Sequence, residues 1–439
     1  MKKKFLVALL AVVAGFSLAS CQQKDYSHTI VFWHTMGDNL QKVLNPAIEQ
    51  FQKDYEGWTI ESTQIGSYDD VRNQTISYIA AGKNPSLVYC YPDHIATYNK
   101  SKQVVDLNQY INDPEVGYTE EQVADFIEGY YAEGSAFGDG AMYTLPFSKS
   151  TEVLYYNKTL FEEEEIEVPT TWEEMAEVCR VLKLRYPDSF PLGIDSEANW
   201  FITTAAQKNV GYTTASGDDH YLFDNEGTRA SVTMLKEWYD KGWLQTQTTY
   251  GTYTSGLFVS TDKKRSFMSI GSTGGASHQI PKNRAFEVGI APIPTFLQEG
   301  KTAQESLKCI SQGPSLAMLK QDSEEKMKMT WLFMKEYLLT TEFQAKFSMA
   351  SGYNPVLKST YANPVYAEFL AGADGYENAT ALAAKTSSTL SNNFFVSDAF
   401  IGSSTARDEV GELVVKVLKG TATIDQAYEV ALRNCRKDQ

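Results

Sequence analysis

The side chains able to do covalent or metal chemistry are present in this chain but nowhere gathered. Cys90, Cys179, Cys309 and Cys435 lie far apart and form no CxxC pair, which argues against a zinc or redox site. Disulfides among them stay open in an oxidising compartment, with unpaired buried thiols as the default. His28, His34, His94, His220 and His278 are equally scattered, and none has metal-ligand spacing. Gly271-Ser272-Thr273-Gly274-Gly275 lacks the central serine of a GxSxG elbow, and neither a GxxxxGK[ST] loop nor an HExxH helix occurs. Carboxylates are plentiful, so sequence singles out no acid–base pair. These observations argue against an enzyme and imply neither metal nor cofactor. Non-covalent recognition remains. The chain holds 26 tyrosines. Tyrosine and tryptophan rings offer flat apolar faces with a polar edge, which suits polyol ligands, although most of these rings are expected to be ordinary core.

Charge narrows the ligand class. The formal charge is −16, and removing Lys2, Lys3 and Lys4 takes it to −19. No basic stripe is available to neutralise phosphates, which argues against a nucleic-acid partner. A buried pocket can still be locally positive. Those three lysines open an export signal. An apolar run from Phe5 to Phe16 follows, shorter than the roughly 20 residues of a spanning helix. Leu18-Ala19-Ser20-Cys21 then resembles a bacterial lipobox, which implies cleavage before Cys21 and a lipid on its thiol. An ordinary signal with an incidental cysteine is the alternative. No second long apolar run occurs, so the expected location is the cell envelope: lipid-anchored outside the cytoplasmic membrane, or periplasmic.

The elements that must position a ligand alternate in type. Thr29–Trp33 reads as a buried strand. Leu40, Val43, Leu44, Ala47, Ile48, Phe51 and Tyr55 make one helical stripe, with Pro46 predicting a kink or late start. A strand from Trp58, a helix over Tyr68–Ala81 and a strand over Ser86–Tyr89 complete a β-α-β-α-β series. That order predicts a mostly parallel sheet faced by helices. Capping boxes at Thr171–Glu174 and Thr423–Gln426 open further helices, and Val410–Leu418 carries an apolar stripe capped by Gly420. The chain is too long for one ordinary core, so two lobes are expected.

Several segments together resemble one family. Val31-Phe32-Trp33-His34-Thr35-Met36 is similar to the opening strand of extracellular solute-binding proteins of ABC importers. Leu145-Pro146-Phe147-Ser148-Lys149-Ser150-Thr151, followed by Val153-Leu154-Tyr155-Tyr156-Asn157-Lys158, resembles that family's crossover segment. Pro169–Met175 resembles its next helix start, and Gly352-Tyr353-Asn354-Pro355 its late turn. The resemblance runs from about Thr29 to about Cys435. It leans to the branch that binds glycerol 3-phosphate or glycerophosphodiesters. It implies an α/β, two-lobe periplasmic-binding-protein fold with three interlobe crossovers, near Pro146, Ile270 and Gly313. The expected division is a signal over 1–20, a lipidated tether over 21–28, one lobe from 29–145 and 271–313, and the other from 146–270 and 314–439.

The resemblance also implies a ligand set: Tyr68, Ser150, Ser272, Gly313, Tyr353 and Arg407 by position. Trp200 matches half of a tryptophan pair, and Asp93 is the nearest carboxylate to a family glutamate. Arg407 would fork two bonds onto phosphate, with Lys149 as a second cation. Each has a plainer alternative: Tyr353 as turn filler, Trp200 as core, Arg407 paired on the surface with Asp408 or Glu409. The implied function is capture of a polar solute for membrane permease subunits of an ABC importer, by a monomer tethered through Cys21. An oligosaccharide is the alternative ligand, and a secreted lipoprotein hydrolase the alternative class.

Overall fold

The structure, a computed structural model, describes residues 26–437 apart from Gly138. The signal, Cys21 and most of the tether lie outside the described residues. Two five-stranded sheets organise the rest. In the first, β1 (Thr29–His34) pairs in parallel with β2 (Thr59–Gln64) and β3 (Leu87–Cys90). Helix α1 (Asp38–Asp54) connects β1 to β2, and α2 (Tyr68–Ala80) connects β2 to β3. α1 starts at Asp38 with Pro46 inside it, so the late start does not occur. Strand β11 (Ser315–Met318) then runs antiparallel between β3 and the short β4 (Leu145–Pro146).

The second sheet repeats that plan. β6 (Leu192–Ile194) pairs in parallel with β7 (Leu244–Thr246) and β8 (Met268–Ser272). β5 (Glu152–Asn157) lies antiparallel between β8 and β9 (Val288–Pro292). In each sheet the antiparallel strand beside the parallel trio has just arrived from the other lobe. Helices cover the faces. α4 (Trp172–Arg185) and α5 (Glu197–Gln207) belong to the second lobe, and α8 (Ser403–Leu418) and α9 (Ile424–Cys435) pack there as well. Each lobe has its own core, around Phe32, Phe51 and Trp331 in the first and Trp172, Phe201 and Tyr428 in the second.

This topology corrects the expected boundaries. β9 falls within 271–313 yet pairs with β5 in the second sheet. β11 follows residue 314 yet belongs to the first, as does the core around α6 (Thr341–Ser351). The crossing near Ile270 does not exist either: Ile270 sits inside β8, paired to Leu154 and Ile194. The chain crosses at 147–151, between β4 and β5, and at 311–314, between β10 (Cys309–Ile310) and β11. The third crossing lies around α7 (Ala379–Ser388), whose Ala383 joins the second-lobe core, and β12 (Phe394–Phe395) then pairs with β10 before α8 begins. Ladder partners, not the order of strands and helices, decide which sheet a strand joins.

The crossings are stitched to one another. Ser150 exchanges both backbone bonds with Gln312 at 2.8 Å, and Lys149 does so with Asn354. Lys149 is buried, and its Nζ donates to buried Glu133, whose other oxygen accepts from Ser311 Oγ at 2.9 Å. Cys90, Cys179, Cys309 and Cys435 are buried, and none forms a disulfide among the described residues. No helix among the described residues is long and apolar enough to cross a membrane.

Candidate functional site

The site is built where α3 (Pro92–Tyr98), just after β3, faces the start of α8 across the lobe boundary. Tyr91, Asp93, Tyr212, Ser311 and Arg407 line a cavity of about 40 Å³ there. Such a space holds about three waters, by the usual 10–15 Å³ each.

Arg407 is the cation of this cavity. Its Nη2 donates to Asn199 Oδ1, and Gln312, with its amide oxygen turned toward Arg407, accepts from Nη2 at 3.0 Å. The nitrogens of both amides point the other way. Asn199 Nδ2 donates to Glu152 Oε1 at 2.8 Å, and the Gln312 nitrogen reaches it at 3.1 Å. Glu152 Oε1 accepts from both amide nitrogens, which leaves both amide oxygens turned toward the guanidinium. Burial pushes Glu152 up to about 7; Asp195 adds to this, while the Asn199 bond and Arg407 oppose it. The remaining N–H groups of the Arg407 fork are available to an anion. The plainer alternative for Arg407 does not hold: Asp408 pairs with Arg72 at 3.1 Å, and Glu409 accepts from Asn434 at 3.0 Å.

An aromatic wall stands on the first lobe. Tyr68, the first residue of α2, packs at 4.6 Å against the Tyr91 ring and stacks at 5.8 Å on Tyr89. Its hydroxyl approaches that of Tyr353 at 3.4 Å, a loose contact. Tyr353 follows Gly352, the left-handed cap of α6, and its ring lies on Gly274 of the second lobe, where a Cβ would meet Cζ at 2.6 Å. Burial raises the Tyr68 phenol, and Tyr353 and Tyr89 add to the effect. Both rings therefore stay neutral and able to donate.

The other expected residues divide. Asp93 lines the cavity with Oδ1 buried and lacking a hydrogen bond, 3.8 Å from His94 Nε2. Ser150 and Gly313 belong to the crossings. Ser272 Oγ accepts from Gly274 N at 3.2 Å and caps the following turn. Trp200 is core, 3 % exposed, its ring edge-on to Trp172 at 6.4 Å, so it is not a cavity wall. Lys149 is not a second cation for the cavity, because Glu133 holds it inside the hinge. Tyr91, Asn199, Tyr212, Gln312 and Ser311 were missed. Gln312 stands directly before Gly313 in a family-like segment, but only the fold brings the five together.

Two lobes, three crossings and a small polar cavity at their boundary define a solute-binding clamp. The chain belongs to the bacterial extracellular solute-binding protein family, which residues 46–371 match. It is 25% identical over 347 residues to the sn-glycerol-3-phosphate-binding periplasmic protein UgpB of Escherichia coli strain K12, covering 76% of this chain and 75% of that one. The Shigella flexneri protein of the same name matches equally well. Among solved structures, UgpB of Mycobacterium tuberculosis in complex with glycerophosphocholine superposes with a TM-score of 0.75 at 18% identity, covering 94% of this chain and 98% of that one. The GacH receptor of Streptomyces glaucescens, solved unliganded and with acarbose, gives 0.74 at 15% identity, covering 93% and 97%. These structures establish the two-lobe fold.

Proposed function

We propose that this protein captures glycerol 3-phosphate or a glycerophosphodiester outside the cell and hands it to the permease subunits of an ABC importer, without altering it. One observation carries the reading: a guanidinium fixed by Asn199 and Gln312 lines the interlobe cavity. Arginine matches phosphate oxygens in a bidentate fork, and desolvating a phosphate needs such compensation. The names of the curated relatives support the same solute. Tyr68, Tyr91 and Tyr353 would meet the glycerol carbons with their ring faces. Cys21 would carry lipid and hold the protein at the membrane, so Cys21→Ala should move it from the membrane fraction to the soluble one.

Isothermal calorimetry with glycerol 3-phosphate, glycerophosphocholine and maltotriose tests the ligand, and recovery of unaltered solute tests the lack of chemistry. Binding of maltotriose without either phosphate would replace the reading with the oligosaccharide one. The tyrosine wall favours that second reading, as do the sugar-binding structures of similar fold, which include Bdellovibrio bacteriovorus MalE with maltotriose.

A further inference from the structure

The Arg407 cavity also holds a tyrosine outside the expected ligand set. Tyr212 sits past the end of α5, its backbone carbonyl accepting from Leu222 N at 3.0 Å. Its ring is gripped from the core side by Phe201 and Phe223, each at 6.4 Å. Tyr212 lines the cavity together with Asp93 and Arg407, and the charges of both act on its phenol. Of the buried polar side-chain atoms without a hydrogen bond among the described residues, only Tyr212 Oη and Asp93 Oδ1 belong to this cavity lining.

We propose that Tyr212 is a ligand-contact residue, its hydroxyl donating to the anionic group of the solute that Arg407 engages. This rests on the reading of the cleft as a phosphate-solute site. A buried phenol ordinarily finds a partner. Here the ring is fixed by core packing, so the hydroxyl cannot swing to another acceptor. Asp93 stands on the same cavity, yet it and Tyr212 do not bond to each other. A group that accepts from the phenol and donates to the carboxylate would satisfy both atoms. A phosphate oxygen beside an alcohol hydroxyl meets both demands, whereas a plain anion would meet Asp93 with repulsion. Burial raises the phenol's pKa and Asp93 adds to the rise, with Arg407 opposing. The hydroxyl keeps its proton, as a donor must.

Tyr212→Phe removes one oxygen and keeps the ring. Calorimetry on wild type and Y212F, with glycerol 3-phosphate and glycerophosphocholine, should show about 10- to 100-fold weaker binding in the variant, as for loss of a bond to a charged group. The melting temperature without solute should stay level or rise, since an unpartnered buried hydroxyl is removed. Equal affinity in Y212F overturns the proposal, and so does weaker binding matched by a lowered melting temperature. Wild type that binds maltotriose and neither phosphate overturns the anionic contact together with the solute reading. The same pair of proteins titrated with maltotriose then decides whether Tyr212 touches any solute.

Discussion

At the scale of single residues, the site is one charge held by neutral amides over a buried carboxylate. Removing one partner of a buried charge pair costs about 2–5 kcal/mol. Arg407→Ala should therefore weaken binding of a glycerol phosphate by about 30-fold to several-thousand-fold, and Arg407→Lys should recover only part, because the fork is lost. Calorimetry with glycerophosphocholine, whose diester does not titrate near neutrality, reads both. Glu152 gives a pH prediction. Its folded pKa of about 7 lies above the unfolded 4.5, so its contribution to stability is full below about 4.5 and lost as pH rises through 7. The difference is on the order of 3 kcal/mol. Glu152→Gln should raise the melting temperature at pH 8 more than at pH 5, and equal shifts would remove the ionisation cost from the account. Sequence resemblance named Arg407, Tyr68 and Tyr353 by position, and Asp93 only as the nearest carboxylate. It named Trp200 wrongly, because an indole's spacing in a helix is the same whether it faces solute or core. Glu152, Asn199 and Tyr212 carry no local signal, since their roles exist only through partners far away in the chain.

At the scale of elements, the crossings do the work of a hinge, and one backbone conformation sets their approach. Gly313 has φ +92°, and a Cβ there would stand 2.2 Å from Ser148 O of the neighbouring crossing. Gly313→Ala combines a left-handed backbone, costing about 1–2 kcal/mol for a residue with a side chain, with displacement of a carbonyl. Urea unfolding should show a loss of about 2 kcal/mol or more. The buried Lys149–Glu133 pair predicts a non-additive cycle. Either Lys149→Met or Glu133→Leu alone leaves an uncompensated buried charge, costing about 3–5 kcal/mol, while the double variant should cost less than the sum. Additive losses would mean that the pair does not act as one unit. The crossings near Pro146 and Gly313 were legible through the segments that resemble the family's. The one expected at Ile270 was not a crossing. β8 is apolar and glycine-bearing like a crossing segment, and only its ladder with β5 and β6 reveals a strand central to the second sheet.

At the scale of the molecule, the lobes touch across their boundary. Arg72 on α2 of the first lobe reaches Asp408 on α8 of the second at 3.1 Å, while its other nitrogen meets Asp69 at 3.3 Å. The Tyr353 ring covers Gly274, and about 40 Å³ is left around Arg407. A glycerophosphodiester is larger than that space, so accommodating it requires the lobes to part by bending at the crossings. Chain length announced two lobes, but not that a salt bridge would join them beside the ligand cation. Asp408 follows Arg407 directly, so the helix that grips the solute also closes the boundary. Opening breaks the Arg72 bond, which favours the closed form in proportion to its strength. With Asp408 half-exposed, that is only about 0–1 kcal/mol. Arg72→Ala and Asp408→Ala should each weaken glycerophosphocholine binding by up to about 5-fold, mainly through faster release. The double variant should be no weaker than either one, and the exchanged pair R72D/D408R should recover most of the loss. Small-angle scattering supplies the companion measurement: a radius of gyration that falls on saturation with solute in wild type, and starts larger in the single variants. Additive losses, or a radius unchanged by a solute whose binding calorimetry has measured, would leave the bridge as surface decoration and the lobes as a rigid pair.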